Sequence, residues 1–222
     1  GVGVQPFKKG PDYIDPMWLS AAAGRPCRNL DYNTMTEEEI DAYFARHAAG
    51  SDIAVIEGNK GLFDGTDLEG RNSTAALAAL LKAPVVLVID AHGITRGIAP
   101  LILGYRAFGP LLDIAGVILN KVAGSRHESK LRAAVERYTD VPVLGAIQRD
   151  AALAIDERHI GLMPTNEVPA AEAKIVRIAR AVAAQVDLDR LLAVARAAPA
   201  PSLPTTASAP PEAPTEVRIG VA

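Results

Sequence analysis

The chain has 222 residues, 49% of them hydrophobic and 22% charged, which is enough for one large domain with a substantial buried core. Its formal net charge of −3 gives no general attraction to nucleic acid or to an anionic membrane surface, so small molecules are the expected ligands. The single cysteine, Cys27, excludes an internal disulfide framework and any metal site built from several cysteines, and it fits a reducing compartment.

Short apolar runs alternate along the chain with longer segments of helical periodicity. The apolar runs predict strands at 2–7, 52–58, 83–91, 113–120, 141–147 and 159–164. The periodic segments predict helices at 36–49, 72–82, 96–108, 127–138 and 168–196, the first of them introduced by the capping-box spacing of Thr36 and Glu39. The middle strands are almost uniformly apolar, which is typical of strands buried on both faces. We therefore predict the α/β class, a parallel β-sheet with helices on both faces, built from right-handed βαβ units.

The composition changes near the end of the chain. Residues 199–214 are dominated by Pro, Ala, Ser and Thr, which cannot form a packed core, so we predict one domain at 1–198 and a linker at 199–215. Residues 216–222 alternate like the first strand of another domain, and Gly1 stands just before or inside a strand. We expect a segment of a longer polypeptide. No apolar run is long enough to span a bilayer and no signal peptide is visible, so a cytoplasmic location is predicted.

Three groups of polar residues follow predicted strands. The stretch PFKKGPDYIDP at 6–16 supplies two lysines and two carboxylates, EGNKGLFDG at 57–65 follows the second strand, and Asn120-Lys121 follow the fourth. The carboxyl ends of neighbouring parallel strands lie about 5 Å apart, and ligands of such sheets bind there. We therefore expect these loops to share one rim, although each charge alone is also typical of an ordinary solvated loop.

The acidic residues at this rim predict a cation. Carboxylates gathered in one place repel each other unless a cation lies between them, and Mg²⁺ is usually held by one or two carboxylates together with phosphate oxygens. Asp12 and Glu57 are the predicted metal ligands. Lys8, Lys9 and Lys60 are predicted to screen phosphate charge or to bind substrate carboxylates.

Other rim residues have two interpretations each. The glycines of 57–65 permit a tight backbone path and the close approach of a ligand. Asp90 ends a predicted strand like a Walker B carboxylate, or it caps the following segment; Asn120 offers its amide to an adenine edge, or it is a turn residue. Tyr13, Trp18 and Phe63 either stack on a planar ligand or pack in the core. The four histidines lack the spacing of a zinc site.

The ordered set PFKKGPDYIDP, Trp18-Leu19, EGNKGLFDG, GVILNKV and IGLMPTNE resembles the amidoligase domain of the cobyrinic acid a,c-diamide synthase family over about residues 1–185. The resemblance implies the fold of dethiobiotin synthetase and MinD-type ATPases, a P-loop NTPase-like fold. It implies that ATP and Mg²⁺ activate tetrapyrrole carboxylates as acyl phosphates, which ammonia from a C-terminal glutaminase domain converts to amides. Residues 216–222 would be the first strand of that glutamine amidotransferase domain, and a homodimer is the candidate assembly.

The resemblance also implies roles for individual residues. Asp12 matches a position important for activity, and Glu57 and Asp64 match the other acidic positions of the family's active site. Tyr13 and Ile14 match positions associated with substrate orientation. With the implied mechanism, Asp64 orients the substrate or deprotonates ammonia, Lys8 or Lys9 stabilises phosphate or substrate carboxylate, and a nucleotide site includes Lys8, Asn120 and Lys121.

Two departures from the family keep alternatives open. No GxxxxGK[ST] phosphate loop occurs in the chain, so the resemblance places that loop upstream. Asn59-Lys60 stand where many members have apolar or small residues, and Lys60 beside a substrate carboxylate would suit another tetrapyrrole, such as sirohaem or nickel-sirohydrochlorin. A MinD/ParA-like regulatory ATPase is the alternative outside the ligases, but it predicts a C-terminal targeting helix in place of the Pro-rich linker.

Overall fold

The computed structural model describes residues 1–59, 61–155, 157–158 and 161–201. The strands are β1 (Val4–Lys9), β2 (Arg28–Leu30), β3 (Ile53–Glu57), β4 (Val85–Asp90), β5 (Ile114–Val122), β6 (Val143–Gln148), β7 (Glu157–Arg158) and β8 (Gly161–Leu162). The helices are α1 (Ile14–Ala23), α2 (Glu37–Ala48), α3 (Thr74–Leu80), α4 (Ile98–Phe108), α5 (Ser125–Tyr138), α6 (Ala171–Gln185) and α7 (Leu188–Ala197), with short 3₁₀ turns at Ala151–Leu153 and Thr165–Glu167. Strand and helix alternate without exception from β1 to β6, which confirms the predicted α/β class.

The parallel strands form two sheets, ordered β2-β1-β3 and β4-β5-β6, and every strand pair in them is parallel. The single predicted sheet is therefore divided within the described part of the chain: no strand there joins β3 to β4. Val55 on β3 is 48% exposed and Val88 on β4 is 64% exposed, so the two strands that end these sheets carry apolar side chains in contact with water.

The two sheets have separate cores, and α3 contributes to both. Around the first sheet, Phe7 and Leu30 pack against α2 and against Leu77 of α3. Around the second sheet, the buried side chains of β4 and β5 pack with α4, α5 and Ala75 of α3. Since Ala75 and Leu77 belong to one short helix, α3 fixes the position of one sheet relative to the other.

The predicted helix at 168–196 is wrong in one respect, because it is two helices. Val186 has an extended backbone and forms an isolated antiparallel bridge with Gly145 of β6. A Cβ on Gly145 would lie 2.7 Å from Cγ2 of Val186, so only glycine permits this approach. Asp187 then begins α7 by accepting a hydrogen bond from the N–H of Arg190 at 3.0 Å. Tertiary pairing thus overrides an otherwise continuous helical pattern.

Three further elements differ from the sequence prediction. Helix α1 and strand β2 were not predicted, because the proline-rich start of α1 reads as a loop and β2 has only three residues. Within the described part of the predicted strand at 159–164, Gly161–Leu162 form β8, which pairs antiparallel with β7. His159, Ile160 and residues 202–222, with most of the predicted linker and all of the predicted final strand, lie outside the described residues.

Among the helices of the described chain, none combines the length and the apolar character that crossing a bilayer requires.

The capping box of α2 makes a measurable contribution to the stability of the fold. Thr36 Oγ1 accepts from the N–H of Glu39 at 3.2 Å, and the Glu39 carboxylate accepts from the N–H of Thr36 at 2.8 Å. We expect Thr36→Ala to lower the free energy of unfolding by about 1 kcal/mol in urea denaturation, because an N–H at the helix start loses its partner. Thr36→Ser, which keeps the hydroxyl, is the control, and equal stability of the two variants would contradict this role.

Candidate active site

The turn between β1 and α1 is held by side-chain hydrogen bonds to its backbone. Asp12 Oδ1 accepts from the N–H groups of Ile14 at 3.0 Å and Asp15 at 3.4 Å, which satisfies donors in the first turn of α1. Asn29 of β2 donates from Nδ2 to the carbonyl of Asp12 at 2.6 Å. The turn that reads as a solvated loop is therefore the ordered start of a helix, and it places Asp12 and Asp15 on the same side.

The centre of the site is the ammonium group of Lys8, whose side chain is only 4% exposed. Its Nζ lies 2.6 Å from Asp15 Oδ2, 3.3 Å from Glu57 Oε2 and 3.8 Å from Asp12 Oδ2, and it also donates to the carbonyl of Gly58 at 3.3 Å. The register of the sheet explains this cluster, because Lys8 of β1 pairs directly with Glu57 of β3. We call Lys8, Asp12, Asp15 and Glu57 the Lys8 cluster.

The charges in the Lys8 cluster shift the pKa values of two members in the same direction. Burial alone would lower the pKa of Lys8, but its hydrogen bond to Asp15 and the charges of Glu57 and Asp15 outweigh burial, so the pKa is raised. Burial raises the pKa of Glu57, Lys8 offsets part of that rise, and the charges of Asp15 and Asp12 add to it. Lys8 therefore stays cationic, and Glu57 takes up a proton more readily than an ordinary glutamate does.

The predicted cation between the acidic residues is in part the protein's own lysine. Lys8 occupies the space between Asp15 and Glu57 and also donates to the carbonyl of Gly58. Its contact with phosphate or with a substrate carboxylate stays a prediction. Within the described residues, no group of three or more His, Cys, Asp or Glu side chains is arranged to hold a metal ion. One ammonium among three carboxylates still leaves a formal charge of −2 when all are ionised.

Lys9 is not part of this cluster. Successive side chains of a strand point to opposite faces, so Lys9 lies on the other side of β1 from Lys8. It is 8% exposed and makes no ion pair within 4.0 Å among the described residues. Burial lowers the pKa of Lys9, the negative charge of Asp31 opposes this, and the positive charge of Lys8 adds to the lowering. The structure thus places Lys8 and Lys9, which the sequence prediction grouped at one rim, on opposite faces of β1.

The two residues after Asp12 differ in accessibility. Tyr13 is 66% exposed beside the Lys8 cluster, where a ligand can reach its ring. Ile14 is 8% exposed and contributes to packing under α1. Trp18 is buried too, and its indole N–H donates to the carbonyl of Met163 at 2.8 Å, so core packing is the correct interpretation for that aromatic residue.

The loop after β3 has a compact path that its glycines make possible. A Cβ on Gly58 would lie 2.6 Å from Cγ2 of Thr74, at the start of α3. Asp64 is exposed and accepts from the N–H of Gly61 at 3.1 Å, so the structure gives it a turn-forming contact and does not join it to the Lys8 cluster. Phe63 contacts the rings of Tyr105 and Phe108. Lys60 lies outside the described residues.

A second polar group lies where β4 and β5 end. Asp90 Oδ2 accepts from Lys121 Nζ at 2.8 Å, and Asp90 Oδ1 accepts from the N–H of His92 at 2.9 Å, so Asp90 both caps the following turn and forms an ion pair. The hydrogen bond to Lys121 lowers the pKa of Asp90. Asn120 Oδ1 accepts from the N–H of Lys121 at 2.9 Å, as the turn interpretation predicts.

The backbone is strained at the same place. Lys121 has φ of +57°, and the pairing of β5 with β6 shifts register between Leu119 and Val122. A non-glycine residue in the left-handed region is uncommon, and bulges of this kind are frequent beside functional sites. Since the Asn120 amide keeps no other hydrogen bond among the described residues, its NH₂ group remains available at the edge of the sheet.

Sequence reasoning recognised most of the acidic group but missed the role of Asp15, which is the shortest contact of Lys8. The available signal was the spacing of Asp12 and Asp15, three residues apart at a helix start, but α1 itself was not predicted. Asn29 was missed because a polar residue in an unpredicted strand of three residues gives no signal.

The fold and this charged edge define an α/β domain with parallel sheets whose polar residues gather at the carboxyl ends of the strands. A protein-family model described as AAA domain matches residues 12–156. The chain therefore belongs to the AAA domain family.

Similar proteins narrow the class further. The cobyrinate a,c-diamide synthase of Magnetococcus marinus is 52% identical over 204 residues, which are 92% of this chain and 44% of that protein. The protein of the same name from Listeria monocytogenes serovar 1/2a is 45% identical over 88% of this chain and 44% of its own length. The hydrogenobyrinate a,c-diamide synthase of Thermobifida fusca is 47% identical over 90% of this chain and 43% of its own. The resemblance found in the sequence is confirmed, and the chain spans less than half the length of these relatives.

Removing Lys8 tests the cluster as a unit. We expect Lys8→Met to lower the free energy of unfolding at pH 7 by about 2–3 kcal/mol, less than for a fully buried pair, because the carboxylates remain 25–45% exposed. Without the ammonium, mutual repulsion raises the carboxyl pKa values in the folded state, so the deficit should shrink as the pH is lowered through the range where carboxyls titrate.

Urea unfolding as a function of pH measures this effect. The matched control is Lys121→Met, which breaks the exposed ion pair with Asp90 and should cost less than about 1 kcal/mol. A deficit for Lys8→Met that is no larger than the control, or that does not change with pH, would contradict the proposed electrostatic role.

Proposed function

We propose that this chain is the amidoligase part of an enzyme that amidates the a and c side-chain carboxylates of cobyrinic acid, with ATP and with ammonia released from glutamine by a separate glutaminase domain. The observation that carries the proposal is the Lys8 cluster, found at the carboxyl ends of β1 and β3 in a chain 52% identical to a cobyrinate a,c-diamide synthase over 92% of its length. The glutaminase domain, a homodimer and a cytoplasmic location remain predictions.

The reaction has two steps. A substrate carboxylate oxygen attacks the γ-phosphorus of ATP, the bond to the bridging oxygen breaks, and an acyl phosphate and ADP form. Ammonia then attacks the acyl carbon, inorganic phosphate leaves and one proton is released. A protein contributes to such a reaction mainly by positioning groups and by compensating charge.

The geometry favours different tasks for the members of the cluster. Lys8 is saturated with carboxylate partners, so we assign to it the orientation of Asp15 and Glu57 and not a direct contact with phosphate. Glu57 has a 45% exposed side chain, so a ligand at the edge of the sheet can reach its carboxylate. Asp64 is exposed on the neighbouring loop and is the candidate for orienting the substrate. Exposed Tyr13 is a candidate contact for the macrocycle, while buried Ile14 would act through the position of α1.

The donor set also fits Mg²⁺ in part. Asp12 Oδ2 and the Glu57 carboxylate remain partly exposed, and the cluster keeps a negative charge after Lys8 is counted. One or two carboxylates completed by phosphate oxygens and water are the usual Mg²⁺ ligands, so Asp12 and Glu57 would hold the ion when nucleotide is bound. The ion would supply charge compensation for the transferred phosphoryl group.

The second polar group suits the nucleotide base. The available NH₂ group of Asn120 can donate to a ring nitrogen of adenine, and Lys121 is fixed beside it by Asp90. Among the described residues, no strand pairs with the outer edge of β3 or of β4, which supports the expectation that a phosphate-loop strand lies between them in the whole protein.

The relatives favour a corrin over other tetrapyrroles. Two of the three relatives described above are named for cobyrinate and one for hydrogenobyrinate, so the alternative that they raise is a hydrogenobyrinate substrate. We assay the full-length enzyme with cobyrinic acid, hydrogenobyrinic acid, sirohaem and nickel-sirohydrochlorin in parallel, and we expect cobyrinic acid to be amidated best. Exclusive amidation of sirohaem would contradict the proposal. ATP hydrolysis without amidation of any tetrapyrrole would favour the regulatory ATPase.

Two conservative substitutions test the acidic residues in the full-length enzyme. We expect Asp12→Asn and Glu57→Gln each to lower kcat for glutamine-dependent amidation about 100-fold or more, because both remove charge from a site that acts in the transition state. Asparagine also caps helices, so Asp12→Asn should fold normally. Glu69→Gln, on an exposed loop, is the control and should keep full activity. Near-normal turnover of either variant, with unchanged thermal stability, would contradict its role.

A further inference from the structure

The connections that follow β4 and β5 are joined by a histidine to which sequence reasoning assigned no role. His127 lies in the first turn of α5 and is half-buried. Its Nδ1 accepts from the N–H of Ala123 at 3.0 Å, and its Nε2 lies 2.5 Å from the carbonyl oxygen of Ile94. Ala123 follows β5 directly and Ile94 lies in the connection after β4, so one imidazole contacts both connections.

The partners of the ring determine its tautomer. Because Nδ1 receives a hydrogen bond from a backbone N–H, it carries no proton, and the proton is on Nε2, which donates to Ile94. The neutral ring thus uses both nitrogens at once. The side-chain amide of glutamine can present an N–H group at the position of Nε2. The shorter side chain of asparagine can present an oxygen at the position of Nδ1.

Two side-chain links between these connections occur among the described residues, and the hydrogen bond from His127 to Ile94 is the one better protected from solvent. The other such link is the ion pair of Asp90 with Lys121, in which both side chains are 54% exposed, and exposed pairs contribute about 0.2–1 kcal/mol. A main-chain hydrogen bond from Ala91 to the carbonyl of Asn120 joins the same two segments at 2.8 Å. The hydrogen bond of His127 to Ile94 is partly buried and the one to Ala123 is exposed. Both are neutral, so salt does not screen them as it screens the ion pair.

The residues held in this way are the strained ones. Asn120 and Lys121 form the bulge at the end of β5, with Lys121 in the left-handed region, and a strained backbone persists only where its surroundings hold it. Ala123, whose N–H donates to His127, lies two residues after Lys121. We propose that His127 is a positioning residue for nucleotide binding: by joining Ala123 to Ile94, it holds Asn120 and Lys121 in the geometry that accepts the base. This inference rests on the proposed function, in which Asn120 and Lys121 contact the nucleotide.

Three substitutions separate the two hydrogen bonds of the ring. In the full-length protein, His127→Gln keeps the donor to Ile94, His127→Asn keeps the acceptor for Ala123, and His127→Phe removes both. We measure the Kd of Mg-ATP by calorimetry and the KM and kcat of amidation. Since Gln and Asn each keep only one of the two contacts, neither joins Ala123 to Ile94. We expect Gln and Asn to raise Kd and KM for ATP about tenfold, as loss of one well-placed hydrogen bond does, and Phe to raise them at least as much, with kcat within about twofold of the native value.

Hydrogen exchange at the Ala123 amide supplies a readout besides activity. That amide should stay protected in His127→Asn and lose protection in His127→Phe. The matched control is His47→Asn, a histidine in the last turn of α2 that contacts Tyr43, and it should leave nucleotide binding unchanged. A Kd within twofold of the native value for any of the three variants, or a native protein that does not bind Mg-ATP, would overturn the proposal. A protein that binds Mg-ATP but amidates no tetrapyrrole would contradict the proposed function and leave the comparison of the His127 variants valid.

Discussion

The ammonium group of Lys8, buried between three carboxylates, is the interaction on which the candidate site depends. An unpaired ammonium in this position would cost several kcal/mol, so the surrounding chain must deliver its partners. The register of β1 with β3 delivers Glu57, and the first turn of α1 delivers Asp12 and Asp15. Sheet pairing and helix capping therefore converge on one charged atom.

This arrangement explains how the carboxylates coexist at one edge of the sheet. Lys8 compensates one of three negative charges, so the cluster retains an attraction for a further cation. The same burial that makes Lys8 costly to leave unpaired raises the pKa of Glu57, and proximity to Asp15 and Asp12 adds to that rise. The residues that stabilise this part of the fold are therefore also the residues of the candidate site. A substitution of Lys8 would change both the stability of the fold and the pKa of Glu57.

The second polar edge is built on a different principle. At the ends of β4 and β5 the charges are exposed and screened, and order comes from a backbone bulge and a neutral histidine. Helix α3 packs into the cores of both sheets and so connects the two edges mechanically.

The sequence by itself determined the α/β class, the alternation of strand and helix from α2 to β6, and the gathering of Asp12, Glu57, Asp90 and Asn120 at carboxyl ends of strands. Those features follow from hydrophobic periodicity and from the geometry of parallel strands, both of which are local or general. Only the tertiary structure decided that Lys8 and Lys9 face opposite sides of β1 and that Lys8 forms ion pairs with Asp15 and Glu57. It also decided that the long C-terminal helix is interrupted at Val186. These features depend on the register of strand pairing, on side-chain burial and on contacts between distant segments. The sequence pattern within one segment therefore cannot predict them.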